Sequence, residues 1–268
     1  MRGSLKTQKP TMDFQSVNPL NIRLNMISGN LLPMTANDTS FPILWRVYSV
    51  LMWLLQIVLL IALVPGSMYV STEKFLKDGL VCYVISAETF VIVARIQARR
   101  DLMGRLIRRI NNILSAADDT MKNVVMTTVK SVETPLMLYW IAGMISVSVW
   151  SCLPLWLLFG KDVFYYEDYR LPAAFFNQPL SPRKFLLGNI VLWICSVYMF
   201  IKKVGTDVYM VHIVMLITAQ YRYIAVKIAM LFQERNEDEH DKTWKIDSLE
   251  RKTRQMKTLC RHHNALIQ

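Results

Sequence analysis

Four long apolar runs constrain what this chain can fold into. They cover approximately residues 43–64, 79–95, 135–159 and 185–219. As α-helices they match a hydrocarbon core of about 30 Å, although the second is short. Apolar residues make up 53% of the 268 residues and charged residues only 19%, against about 25% charged in soluble domains. The sequence therefore predicts an all-α, polytopic membrane helix bundle with about four transmembrane helices.

The apolar runs divide the chain into three segments. Residues 1–42 form an N-terminal arm that is partly helical at best, residues 43–220 form the transmembrane bundle, and residues 221–268 form a polar tail. The arm lacks the sustained apolar core of a secretory signal peptide. We therefore expect the first apolar run to act as its own insertion signal and to stay in the lipid bilayer. Pro65 and Gly66 are expected to end it.

The fourth apolar run is too long for one perpendicular span, and Lys202, Lys203 and Asp207 interrupt it. Either it is one long helix that continues past the bilayer, or two short spans meet near residues 202–205. The two options place the tail on opposite sides of the membrane. The two lysines either line a pocket entrance or snorkel toward the interface, and the sequence leaves both possibilities open.

The distribution of basic residues decides between these options. Successive segments carry four (1–42), two (65–78), eight (95–133), four (160–184) and ten (221–268) Lys+Arg residues. The positive-inside rule then places the arm, residues 95–133 and the tail in the cytoplasm, and this requires a single long fourth helix. The Asn37-Asp38-Thr39 sequon is accordingly expected to remain unmodified. The net charge of +11 indicates topology, not nucleic-acid binding.

Residues 95–133 differ in character from the spans around them. Their apolar residues recur at helical spacing while arginines occupy much of the other face, which is typical of a basic amphipathic helix. The apolar positions are Ile96, Met103, Leu106, Ile107, Ile110 and Leu114. Such a helix lies on a membrane surface or packs on neighbouring helices. We expect a cytoplasmic extension of the second span that packs within the bundle.

The third span is expected to begin at Pro135, because proline suits the first turn of a helix. Small residues along it, Gly143 among them, allow close approach of another helix. The following loop, residues 161–184, is rich in aromatic residues and proline. This composition predicts an ordered cover over the end of the bundle.

Three polar residues within the predicted spans have a possible functional role: Glu88, Asp207 and His212. A charged carboxylate inside the membrane costs roughly 2.5 kcal/mol or more, so Glu88 should face other helices or a wet cavity. It either tunes a ligand or ion response or is a neutral packing residue. Asp207 and His212 are five residues apart on a helix, and a structural polar network is expected rather than a relay.

No motif indicates an enzyme, a cofactor or a metal. Cys82, Cys152, Cys195 and Cys260 have no CxxC neighbour and are interpreted as buried and unpaired. Adjacent histidines near Cys260 point apart on a helix and lack a fourth ligand, so a zinc site is not expected. A nucleophile elbow, a Walker loop, a Gly-rich dinucleotide turn and an HExxH motif do not occur in the sequence.

The order of these segments resembles that of the insect odorant receptor family. The likeness extends over nearly the whole chain, and no single motif carries it. The matching positions are Leu171-Pro172 and Pro179-Leu180-Ser181-Pro182 in the loop, Gly205-Thr206-Asp207, His212 and Gln220 in the fourth helix, and Cys260-Arg261-His262-His263-Asn264-Ala265-Leu266 in the tail. Gustatory receptors share the architecture and are one alternative. A four-helix transporter or membrane scaffold, complete as it stands, is another.

The resemblance implies a subunit of a ligand-gated, non-selective cation channel in the plasma membrane of olfactory neurons, assembled with a shared co-receptor. Small volatile odorants would bind within the membrane between the helices. Helices five to seven, including the pore helix, would follow Gln268, so the chain is expected to be an N-terminal portion. His263 would help to anchor receptor and co-receptor. The expected ligand contacts are Tyr83, Ser146, Val149, Trp150 and Met199, with ordinary helix packing as the alternative role.

Overall fold

The computed structural model describes residues 12–35 and 41–237, with side chains to residue 230, and residues 253, 254 and 257. The α-helices in these ranges are α1 (Pro19–Ser28), α2 (Ile43–Met68), α3 (Thr72–Lys74), α4 (Leu80–Ala98), α5 (Arg100–Ser115), α6 (Asp119–Cys152) and α7 (Pro182–Glu237). A π-helical segment, Phe75–Gly79, joins α3 to α4, and 3₁₀ helices cover Leu153–Phe159 and Tyr166–Asp168.

Four helical stretches of the described chain are long and apolar enough to cross a membrane. They are Ile43–Met68, Thr72–Ala98, Asp119–Phe159 and Pro182–Met230. No strand occurs among the described residues, which contain only the isolated bridge between Phe164 and Leu180. The prediction of an all-α bundle with about four transmembrane helices is therefore confirmed.

The outer surfaces of these helices are apolar. On α2, for example, Val47, Leu51, Leu54 and Ile61 are each more than half exposed. A contiguous apolar surface of this kind is unfavourable in water and is the normal surface of a helix in lipid. Apolar side chains of α2 therefore point both toward neighbouring helices and outward, because lipid covers the surface of the helix that no other helix contacts.

The bundle has two ends, which we name by what lies there. The loop end carries residues 160–181, and the arm end carries residues 12–35, α5 and the beginning of α6. Helix α7 begins at the loop end and runs without a break past residues 202–205, so the fourth apolar run forms one long helix. At 1.5 Å per residue, Lys202 lies about 30 Å from Pro182 along the axis, near the far edge of a typical hydrocarbon core.

Two expected helix boundaries are wrong. Pro65 lies inside α2, which continues to Met68, and Pro135 lies inside α6, which begins at Asp119. Membrane helices tolerate proline because neighbouring groups satisfy the carbonyl that proline leaves without its usual donor. Hydropathy marks where a helix enters lipid, whereas hydrogen bonding determines where the helix begins.

Helix α6 begins at a side-chain cap that also ties it to α7. Asp118 accepts a hydrogen bond from the backbone N–H of Met121 at 2.8 Å, and its other oxygen lies 2.7 Å from Lys227 Nζ. Partial desolvation acts to raise the pKa of Asp118, but the Lys227 ammonium and the Met121 N–H outweigh it and hold that pKa below its usual value. The carboxylate is therefore charged at neutral pH and holds the two helices together at the arm end.

Residues 95–133 do not form one continuous helix. Residues 95–98 belong to α4, the helix breaks at Arg99, and α5 buries Gly104, Ile107, Ile110 and Leu114. The side chains of Ile107, Ile110 and Leu114 pack in one cluster with Val125 of α6 and Leu216 of α7, among others. The amphipathic helix thus packs within the bundle.

The arm packs along α7. Leu24 of α1 is buried against Val204 and Val208, and Gly205 leaves room for the side chain of Ser28 and the Leu24 carbonyl of α1. Further along, Tyr209 Oη donates to the carbonyl of Pro33 at 2.9 Å. The arm is partly helical, as expected, and its extended portion is held by side chains of α7.

The loop forms an ordered cover at the loop end, as its composition predicted. Phe164 and Leu180 exchange two backbone hydrogen bonds of 3.0 and 2.8 Å. Phe185 stacks on the ring of Phe164 and on that of Tyr169, with centroids 4.2 and 4.7 Å apart. The N–H of Ala174 donates to a carbonyl of α2 at 2.8 Å, which fixes the loop to that helix.

The cysteine prediction is only partly correct. Cys82 and Cys195 are buried and unpaired, but Cys152 is exposed. It lies where α6 passes into the 3₁₀ helix, on a side that no described element covers. Cys260 lies outside the described residues.

Replacing Gly66 by alanine tests the contact between α2 and the loop. A Cβ at this position would overlap the backbone of Pro172. We expect Gly66→Ala to lower the free energy of unfolding by about 1–3 kcal/mol, as overpacking does. Helix propensity alone predicts the opposite sign, because alanine is the better helix former. The measurement is thermal unfolding of the purified chain in detergent.

Gly160→Ala is the matched control for this measurement. No atom of the described residues lies within 4 Å of a Cβ at Gly160, so the unfolding midpoint of this variant should stay close to that of the wild type. A Gly66→Ala midpoint equal to or above that of the control would contradict the contact with the loop.

Candidate functional site

Three of the five predicted ligand residues meet in one region. Tyr83 on α4, Trp150 on α6 and Met199 on α7 all pack, partly buried, against the same hydrophobic cluster, which we call the loop-end cluster. Its buried members are Leu59, Ala62, Leu63, Cys82, Phe164, Tyr166, Tyr169, Leu171, Ala173, Leu180, Phe185, Leu192 and Cys195. Four helices and the loop therefore contribute to one apolar region toward the loop end.

A short polar network enters this apolar region around Met199. Its Sδ accepts hydrogen bonds from Ser86 Oγ at 3.3 Å and from Cys82 Sγ at 3.5 Å. Ser86 Oγ in turn accepts from Gln56 Nε2 of α2 at 3.1 Å. Tyr83 Oη lies 3.4 Å from Ser67 Oγ. An apolar wall with a few fixed polar groups is what sites for small organic ligands contain.

The structure does not bring the other two predicted residues into this region. Ser146 is exposed, and 57% of Val149 is exposed, on a side of α6 that other described residues do not cover. Both residues lie close to Trp150 in the sequence, but helical periodicity does not reveal which face of α6 meets α7. Gly143 does mark that face, because a Cβ there would overlap the ring of Phe200.

The polar residues Glu88 and Asp207 share one lysine. Lys203 Nζ lies 2.9 Å from Glu88 Oε1 and 2.8 Å from Asp207 Oδ1, which links α4 to α7. The lysine side chain is 18% exposed and that of Glu88 45% exposed. Glu88 therefore faces another helix, as expected for a carboxyl group inside a span, and a cation compensates its charge.

Lys202 has a different environment from its neighbour. It is 1% exposed, and its Nζ lies 3.7 Å above the ring of Trp53 on α2 with no hydrogen-bond acceptor within the described part of the chain. The contact is a cation–π interaction. Neither lysine snorkels: one is paired with carboxylates and the other is stacked on an aromatic ring.

His212 belongs to a separate network from Asp207. Its Nε2 lies 3.0 Å from the carbonyl oxygen of Phe14, and the two rings meet edge to face at 4.6 Å. The contact attaches the arm to α7. His263 lies outside the described residues, and no cluster of three or more potential metal ligands occurs among those that are described.

A cavity of about 370 Å³ lies at the arm end, between the arm, α2 and α4. None of the five predicted ligand residues lines it. The sequence did not predict this cavity, because its polar lining residues come from three segments distant in sequence. They are Asn30 from the arm, Arg46 and Ser49 from α2, and Gln97 and Arg100 from the junction of α4 and α5.

The fold and the site together define the class of protein. The chain is a multi-pass, all-helical membrane protein with apolar outer faces, small internal polar networks and an ordered loop over one end. The profile of the 7tm odorant receptor family matches residues 78–268, well over half of the chain. The chain therefore belongs to the odorant receptor family.

The match favours an odorant receptor over the gustatory receptor and over the transporter or scaffold, and this is a family of receptors rather than enzymes. No curated protein and no solved structure matches the chain.

Removing the charge of Lys203 tests the ion-paired network. We expect Lys203→Gln to lower the free energy of unfolding by about 1–3 kcal/mol, between the values for exposed and buried pairs. The variant leaves the carboxylates of Glu88 and Asp207 without their shared cation. Glu88→Gln should lower the free energy of unfolding by less, because Asp207 still pairs with Lys203. Unfolding of the purified chain by thermal or denaturant titration in detergent measures both.

Lys161→Gln provides the control, since it breaks the pair of Asp168 in the loop with Lys161, whose side chain is 48% exposed. Its effect should stay below about 1 kcal/mol. If Lys203→Gln and Lys161→Gln have the same free energy of unfolding, the ion-paired network between α4 and α7 does not stabilise the fold.

Proposed function

We propose that this chain is the odorant-binding part of a ligand-gated, non-selective cation channel that acts in olfaction together with a co-receptor in the plasma membrane. The family match carries the receptor assignment. The convergence of Tyr83, Trp150 and Met199 on the loop-end cluster supports binding of a small apolar volatile within the membrane. Binding opens the channel only if the odorant has a higher affinity for the open state than for the closed state.

The proposed ligand site uses α2, α4, α6 and α7 together. Met199 provides a polarizable wall, Trp150 a flat apolar surface, and Ser86 and Tyr83 the polar points that orient a carbonyl or hydroxyl group. Ser146 and Val149 contact ligand only where a further helix or a partner subunit closes the exposed side of α6. The same open side of α6 is where we propose that the co-receptor or other receptor helices pack.

In the proposed orientation the arm end is cytoplasmic and the loop end extracellular. The basic residues of the arm, α5 and the tail support it through the positive-inside rule. Odorants then reach the loop-end cluster from the outer leaflet or from the extracellular side.

Glycosylation measures the orientation. The native Asn37-Asp38-Thr39 sequon lies outside the described residues, and in cells that glycosylate it should remain unmodified. The double substitution Lys161→Asn and Val163→Thr creates the same tripeptide in the loop at two exposed positions and should add one glycan. A glycan on the native sequon, removable by endoglycosidase, would reverse the proposed orientation.

Displacement of a fluorescent apolar probe tests the ligand site. N-phenyl-1-naphthylamine, bound to the purified chain in detergent, should be displaced by methyl salicylate as a volatile aromatic ester. Met199→Ala and Trp150→Ala should each weaken binding of the probe about tenfold, the loss expected when a packed anchor side chain is truncated. Each variant should first show a cooperative thermal transition.

Trp156→Ala is the matched control, because Trp156 is 78% exposed and lies beyond α6. Its probe affinity should equal that of the wild type. Equal losses for Trp150→Ala and Trp156→Ala, with folding intact, would exclude the loop-end cluster as the site.

A further inference from the structure

The cavity at the arm end has the chemistry of an anion site. We propose that it binds a phosphate-bearing, hydroxyl-rich group, such as a phosphorylated polyol or the headgroup of an acidic lipid. Two arginines, Arg46 and Arg100, line the cavity, and no carboxylate-bearing residue is among the described residues that line it. Arginine matches the geometry of phosphate oxygens with a planar fork of N–H donors.

Hydrogen bonds between the lining residues hold this wall in place. Arg100 Nη1 donates to Gln97 Oε1 at 2.7 Å, and Gln97 Nε2 donates to the carbonyls of Asn30 and Leu31, both at 3.1 Å. The junction of α4 and α5 is thereby joined to the arm. A guanidinium fixed in this way loses less side-chain entropy on binding a ligand than a free one.

Asn30 supplies an independent indication of a ligand. It is 2% exposed, and its Nδ2 donates to the Lys202 carbonyl at 3.0 Å and to Thr206 Oγ1 at 3.1 Å. These acceptors fix the orientation of the amide. Its Oδ1 then has no donor among the described residues. A buried acceptor without a donor costs about 1–3 kcal/mol. Because this oxygen has almost no accessible surface, a hydroxyl group on the ligand supplies the donor only when the Asn30 side chain turns toward the cavity that the residue lines.

The size and position of the cavity favour a phosphorylated headgroup over a bare ion. About 370 Å³ falls within the range of small-molecule sites, about 300–1,000 Å³. Arg46 lies in the first turn of α2, at a boundary of the membrane-spanning stretch. Basic pockets between transmembrane helices at such boundaries bind phosphorylated lipid headgroups. Trp53 provides an apolar wall, and Lys202 Nζ lies 3.7 Å from the centre of its ring.

The proposal is tested on the full chain in phosphatidylcholine nanodiscs, apart from any odorant. The probes are dioctanoyl phosphatidylinositol 4-phosphate and inositol 1,4-bisphosphate, which is the same headgroup without acyl chains. The affinity of the chain for each probe is measured by titration with that probe. Arg46→Gln should weaken binding about tenfold, the effect of losing one charge-assisted contact. Arg105→Gln removes the same charge from an exposed position outside the cavity and should change affinity less than about twofold.

Binding of both probes, with the selective loss in Arg46→Gln, supports a site for the phosphorylated group itself. Binding of the lipid alone with the same selectivity supports the site and identifies the membrane as the source. Equal losses in Arg46→Gln and Arg105→Gln, or no binding of either probe, overturn the proposal. If Arg46→Gln does not fold, Arg46→Lys retains the charge without the fork, and an affinity equal to that of the wild type then overturns the arginine contact.

Discussion

Inside lipid, each backbone N–H and C=O must find its partner within the chain, and this constraint shapes the whole structure. It favours a few long helices over many short ones. Helix α7 is the longest, and the other parts of the bundle pack on it. The arm is attached through His212 and Tyr209, α6 approaches where Gly143 admits Phe200, and α4 meets it at Met199. A break in α7 would therefore detach several elements at once.

A continuous α7 must accommodate ionic side chains in its middle. Lys203 is compensated by two carboxylates. Lys202 has only the ring of Trp53, and a cation–π contact of about 0.5–2 kcal/mol offsets only part of the several kcal/mol that burial of an ion costs. Trp53 also lines the cavity at the arm end. An anion bound there would lower the cost of a positive charge on Lys202.

The sequence predicted the architecture better than the site, for a physical reason. Bilayer thickness imposes a length on each apolar run, so four spans follow from hydropathy alone, and the charge distribution favoured one long fourth helix. Boundaries failed at Pro65 and Pro135, because a membrane helix tolerates proline in its interior. Ser146 and Val149 lie outside the loop-end cluster, because hydropathy does not show which face of α6 meets α7. The sequence did not predict the cavity at the arm end, because Asn30 and Arg100 come together only through tertiary packing.

One stripe of α7 connects the proposed odorant site to the ion-paired network. Met199, Lys203 and Asp207 follow one another at intervals of four residues and therefore share a face. Met199 contacts α4 through Ser86, and one turn further on Lys203 contacts α4 through Glu88. A ligand that separates α4 from α7 at Met199 therefore acts directly on the distance between Lys203 and Glu88. A paired contact of this kind has two discrete arrangements, formed and broken, and a two-state element of this kind can couple two sites when both bias its equilibrium. On the proposed function, the interface of α4 and α7 is the part of this chain through which odorant binding reaches the arm end.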